Sequence, residues 1–144
     1  MSKKRILIVE DEMLIAVDIK NTLESWGYEV PFILSSADEA LRKCQTIGFD
    51  LIIMDIKVKG KVNGITAANQ IAKKYEIPVL YLSAYSDRIT LQEAKLNTLF
   101  GYLGKPFINN DLNTAVRWLT ADRETKKISP KHRDKQLPLN FVSS

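Results

Sequence analysis

A chain of 144 residues, 45% hydrophobic and 26% charged, has the length of one domain and the composition of an ordinary globular protein. One cysteine, Cys44, and one histidine, His132, exclude an internal disulfide, a cysteine-cluster metal centre and a histidine-based triad or zinc site. The net charge of +4 gathers at the C-terminus, where Arg123, Lys126, Lys127, Lys131, Arg133 and Lys135 outnumber Asp122, Glu124 and Asp134.

In chain order, residues 5–9 form an apolar run of strand character. Residues 13–26 show helical spacing, with Leu14, Val17, Ile19 and Leu23 apolar and Gly27 as the stop. Residues 28–34 read as a second strand. Ser36-Ala37-Asp38-Glu39 has the form of a capping box and opens a helix to about Thr46, on which Cys44 is a small hydrophobe. The third strand covers 51–54, and the third helix covers 64–75 with Ile65, Ala68, Ile71 and Ala72 on one face. A fourth strand at 78–82 is followed by a helix over 90–96, stopped by Asn97, and a fifth strand at 99–103. The last helix is expected to start near Asn110 or Asp111, good capping residues, and to turn Leu112, Ala115, Val116 and Leu119 inward. Trp118 fits either an outward anchor or partial burial.

Five strand–helix units in so short a chain call for a three-layer, doubly wound α/β fold: a parallel sheet with helices on both faces. Such sheets bind ligands beyond the carboxyl ends of their strands. The first strand ends in Glu10-Asp11, the third in Asp55, the fourth in Ser83 and the fifth in Lys105-Pro106. Each element alone has an ordinary explanation as a helix cap or a turn; their joint placement at four strand ends does not.

Three convergent carboxylates raise each other's pKa unless a cation neutralises them. With oxygen ligands only, a hard divalent ion such as Mg2+ suits the set and keeps positions for phosphate oxygens. Asp55 can then act as a nucleophile toward phosphorus, giving an aspartyl phosphate. The Lys105 ammonium and the Ser83 hydroxyl can meet the other phosphoryl oxygens. Pro106 admits a cis bond that would turn Lys105 into the site.

These segments, "ILIVEDE", "LIIMDIKVKGKVNGI", "PVLYLSAY" and "GYLGKPF", resemble the response-regulator receiver domain of two-component signalling over about residues 4–121. The resemblance implies a flavodoxin-like (CheY-like) sheet of order 2-1-3-4-5 and phosphorylation of Asp55 by a histidine kinase or phosphotransfer protein. It also implies Mg2+ on Asp11, Asp55 and the Lys57 backbone carbonyl, with Glu10 reaching the ion through water. Ser83 and Tyr102 would be switch residues that reshape the output surface, and Lys57 and Tyr85 would tune hydrolysis, here toward slow loss of the phosphoryl group. Two departures stand out: the loop after Asp55 is one residue longer than the commonest form, and Lys59 replaces a usual proline, with Gly60 kept nearby.

Residues 122–144 fall outside the match. Pro130 and Pro138 break any long helix there. The segment, basic and ending in the apolar "LPLNFV", reads as a linker cut from a longer protein, a docking peptide or a packing arm, in that order. A solvated tail has more weight than nucleic-acid or membrane contact. The N-terminal apolar run stops at Glu10, too soon for a signal peptide, and no run approaches the ~20 residues of a membrane span, so the expected location is the cytoplasm.

The expected function is a phosphoacceptor switch rather than an enzyme, acting on a downstream protein or an attached output domain, with homodimerisation open. The alternative is a pseudo-receiver that binds a partner without phosphorylation. An aspartyl phosphatase would need a second acid two residues after its nucleophile, where Lys57 stands. A dinucleotide site would need glycines in the first strand–helix turn, where Glu10-Asp11-Glu12 stand.

Overall fold

A computed structural model describes residues 3–58, 60, 61, 63–84 and 100–121. Its elements are β1 (Arg5–Val9), α1 (Met13–Ser25), β2 (Glu29–Leu34), α2 (Ala37–Cys44), β3 (Leu51–Asp55), α3 (Gly64–Tyr75), β4 (Val79–Ser83), β5 (Phe100–Gly104) and a last helix, here α4 (Asn109–Leu119). The expected helix over 90–96, the residues Lys59 and Tyr85, and the tail 122–144 lie outside the described residues.

The strands form one all-parallel sheet of order β2-β1-β3-β4-β5. Side chains alternate between its faces, because successive residues of a strand point to opposite sides. Leu7, Val9, Ile52, Met54, Val79 and Tyr81 pack toward α2 and α3. Ile6, Ile8, Leu51, Ile53, Leu80 and Leu82 pack toward α1 and α4. Both faces are covered, so the central strands are apolar throughout rather than alternating.

Local chemistry sets the helix ends. The chain leaves α1 through paired reverse bonds, Gly27 N–H to Glu24 O at 3.0 Å and Tyr28 N–H to Leu23 O at 3.2 Å. That motif needs a left-handed residue, and Gly27 supplies it at φ +95°. At the start of α2, Ser36 Oγ accepts the Glu39 N–H at 3.2 Å, while Glu39 Oε1 accepts from Ser35 N–H, Ser35 Oγ and Ser36 Oγ. The capping box is therefore present, with the return bond reaching Ser35. Asn63 caps α3 by accepting the Thr66 N–H at 2.8 Å.

Three sequence expectations need correction. On α1 the buried stripe is Ala16, Ile19 and Leu23, whereas Leu14 is 89% exposed and Val17 39%. Two apolar stripes share this helix, and the sheet takes the one with small Ala16. The last helix is capped by Ile108 in extended backbone, with no side-chain cap, so neither Asn110 nor Asp111 holds its first turn from outside. The third, fourth and fifth strands each end one residue later than expected, at Asp55, Ser83 and Gly104, which carries Asp55 and Ser83 into the sheet itself.

Candidate functional site

The carboxyl ends of β1, β3, β4 and β5 meet at one edge of the sheet. β1 delivers Glu10, which is fully buried, and Asp11 beside it; β3 delivers Asp55, 4% exposed. Carboxylate oxygens of Glu10, Asp11 and Asp55 all lie within 4.8 Å of one another. From the end of β5, Lys105 Nζ stands 3.0 Å from Asp55 Oδ2 and 3.0 Å from Glu10 Oε1. The peptide bond between Lys105 and Pro106 is cis.

Backbone groups complete the cage. Lys57 N–H donates to Asp55 Oδ1 at 2.9 Å, and Glu12 N–H donates to Glu10 Oε2 at 3.1 Å. Val58 N–H bonds the Asp55 carbonyl at 3.2 Å, turning the chain sharply after the strand. Gly64 opens α3 directly against this turn: a Cβ there would lie 2.8 Å from the Asp55 carbonyl oxygen and 3.3 Å from that of Ile56. Lys105 N–H bonds Ser83 O at 2.7 Å, which ties the lysine's loop to the end of β4.

The electrostatics follow from the crowding of these acids around Lys105. Burial and the hydrogen-bonded Asp55 carboxylate push Glu10 up to about 7, against the pull of Glu12 N–H and Lys105. Burial pulls the Lys105 ammonium down, but hydrogen bonds and charge from Asp55 and Glu10 outweigh it, and its pKa is raised. The Lys105 ammonium thus pairs with two of the three clustered carboxylates, those of Glu10 and Asp55, with Glu12 Oε1 4.0 Å from it. A compact set of carboxylate oxygen donors fits a hard divalent ion.

Ser83 is buried at the end of β4, paired across the ladder with Gly104. Tyr102, on β5, pairs with Tyr81 of β4 and is half-buried against the α2–α3 side of the core. Lys57 is exposed, two residues past Asp55. Glu10, Asp11, Asp55 and Lys105 therefore come together, Ser83 and Tyr102 lie on β4 and β5, and Tyr85 is outside the described residues.

Three contributors escaped the sequence reading. Glu12 approaches Lys105, Gly64 makes room for the turn after Asp55, and Asp38 of α2 accepts the Lys61 N–H at 3.0 Å. A glycine at a helix start directly after a functional loop was a readable signal; the contact of Asp38 with Lys61 had no local one.

Comparison with known proteins agrees with this geometry. Residues 6–117 match the response regulator receiver domain family. The transcriptional regulatory protein PdtaR of Mycobacterium tuberculosis is 37% identical over 113 residues, which is 78% of this chain and 55% of that protein. The chain spans about half the length of the curated relatives it matches first. Among solved structures, the signal receiver domain of a modulated diguanylate cyclase from Desulfovibrio desulfuricans superposes with a TM-score of 0.77 at 29% identity, covering 88% of this chain and 98% of that one. The N-terminal domain of a response regulator/sensory box/GGDEF protein from Carboxydothermus hydrogenoformans gives 0.76 at 31% identity, covering 87% and 98%. The chain belongs to the response regulator receiver domain family, with its acidic site at the carboxyl edge of a CheY-like sheet.

Proposed function

We propose that this chain is a phosphoacceptor switch of a two-component phosphorelay, with Asp55 as the residue that receives the phosphoryl group. One observation carries the reading: Asp55 is buried at the sheet edge with the Lys105 ammonium at 3.0 Å and the Glu10 and Asp11 carboxylates clustered around it. A carboxylate oxygen of Asp55 attacks phosphorus while the donor's bond to phosphorus breaks, its electron pair leaving with the donor. Lys105, already facing Asp55 Oδ2, stands where it can compensate the phosphoryl oxygens. Asp11, Asp55 and the Lys57 carbonyl would hold magnesium, with Glu10 acting through water; when bound, the ion supplies charge neutralisation and orients phosphoryl oxygens.

The donor is a histidine kinase or phosphotransfer protein, and the surroundings of the site support a protein donor. Met13, Leu14 and Val17, in the first turns of α1, and Ile108, at the start of α4, are exposed at the same end of the sheet. Ser83 and Tyr102 pass the change to the output surface, and a new dianion at Asp55 biases that two-state element. The output is a downstream protein or an attached domain. Lys57 and Tyr85 set the lifetime, which we expect to be long. A pseudo-receiver is disfavoured, because both acids, the acceptor, the hydroxyl and the lysine are all retained.

The test is intact mass after incubation with acetyl phosphate, with and without magnesium. Gain of one phosphoryl group that requires magnesium and vanishes in Asp55→Asn supports the switch. A folded chain that gains none under any condition overturns it.

A further inference from the structure

We propose that Asp38, on α2, is a positioning residue for the phosphoacceptor site, acting through the loop between β3 and α3. The inference deepens the reading of Asp55 as a magnesium-dependent phosphoacceptor and rests on it.

Near Asp55 the loop is anchored by Lys57 N–H on Asp55 Oδ1, by Val58 N–H on Asp55 O, and by the buried side chains of Ile56 and Val58. At its far end Asn63 caps α3 and Gly64 packs against the Asp55 backbone. Between these anchors the loop includes Gly60 at φ +137°, a conformation that favours glycine. Oδ2 of Asp38 accepts the N–H of Lys61, next to that glycine, at 3.0 Å across 23 positions of sequence.

Asp38 is itself well fixed. It occupies the first turn of α2, within the Ser36–Glu39 capping box and between the fully buried Ala37 and Ala40. A charged acceptor on a rigid helix makes a stronger and better-placed bond than one on another loop. Its carboxylate is not among the clustered donors Glu10, Asp11 and Asp55, and the contact it makes toward the site is with the backbone of the loop. The residue it steadies downstream of Asp55 belongs to the same loop as Lys57, whose carbonyl the site needs in register with its carboxylates.

The experiment uses the full chain and compares Asp38→Ala, which removes the acceptor, with Asp38→Asn, which keeps an oxygen for the Lys61 N–H. Magnesium affinity is measured by calorimetry with MgCl2, the phosphorylation rate by intact mass with acetyl phosphate, and stability by urea unfolding in EDTA. Asp38→Ala should weaken magnesium binding roughly three- to tenfold and Asp38→Asn less than about twofold, below the ten- to hundredfold typical of direct outer-shell partners. Rescue by asparagine separates the bond from the charge and from general stability, because both variants lose the same acid at the start of α2. Equal losses in the two variants, or no loss in Asp38→Ala, overturn the proposal. Should Asp38→Ala fail to fold, Asp38→Ser, too short to reach Lys61, takes its place under the same criteria. A wild-type chain that takes up neither magnesium nor a phosphoryl group defeats the reading of Asp55 itself; a competent wild type beside an unaffected Asp38→Ala defeats this inference alone.

Discussion

Lys105 Nζ is equidistant, at 3.0 Å, from Asp55 Oδ2 and Glu10 Oε1, so one ammonium bridges two buried carboxylates at the carboxyl ends of the adjacent strands β1 and β3. The arrangement holds two like charges together only as long as their shared partner stays. It makes the site responsive to any change in charge at Asp55.

Asp55→Asn removes one of the two bridged charges. Asp55 helps to hold Glu10 up at about 7, so its neutralisation relieves repulsion in the absence of metal. Urea unfolding in EDTA should show the variant as stable as wild type or more so, by about 1 kcal/mol. With magnesium the order should reverse, because wild type alone gains ligand stabilisation of about 1.4 kcal/mol at tenfold excess over its dissociation constant. A variant clearly less stable in EDTA would contradict this account of the bridge.

Gly64→Ala places a methyl group 2.8 Å from the Asp55 carbonyl oxygen, where no real Cβ sits, and neither the strand end nor the helix start can yield cheaply. The expected cost is about 1–3 kcal/mol, in the range of overpacked cores. Phosphorylation by acetyl phosphate should slow as well, since the turn that aims Asp55 must move. Wild-type stability and rate in this variant would show the contact to be soft.

Glu39 provides a pH signature outside the acidic cluster. Hydrogen bonds from Ser35, and then Ser36, hold its carboxyl below the usual carboxylate range despite slight burial. A depressed folded-state pKa means that the stability is present above the unfolded value of 4.5 and is lost as pH falls through the folded value. Chemical unfolding of wild type and Glu39→Gln across pH 3 to 7 should therefore show wild type ahead at neutral pH and the gap closing in acid. A gap independent of pH would assign the effect to packing rather than charge.

Cys44 is buried, and burial pushes its thiol up to about 11 from 9.0. At pH 8 the native thiolate fraction is roughly a hundredfold below that of a free thiol. Thiol reagents should label the native protein very slowly and the unfolded protein fast, as read by mass. The raised value also means stability that is complete below pH 9 and declines as pH rises toward about 11. Fast native labelling would show that the α2–β3 turn opens readily.

The sheet was legible in the sequence because its strands are covered on both faces and so are written as unbroken apolar runs, Leu51 to Met54 above all. The acids and lysine of the site were legible because strand ends are where such a sheet binds. On α1 the pattern misled: Leu14 and Val17 fit helical spacing as well as Ala16 and Ile19, and only the space against the sheet decides between them. The start of the last helix misled for another reason, since Ile108 stays extended and no side chain caps it. Asp38 was hidden because it was already explained as part of a capping box, and its contact with Lys61 crosses from one strand–helix unit to the next.

Because β1 lies between β2 and β3, a growing chain cannot give its first strand both neighbours until residue 55 has been made. Until then the apolar edge of Ile6 to Val9 stands open, the kind of unpaired strand that associates with other chains. Completion of β3 closes it and yields a three-stranded parallel unit covered by α1 and α2. The last residue of that unit is Asp55, so the position that we expect to carry the signal is also the one whose arrival closes the edge of β1 and passes the open edge to β3, which waits for β4.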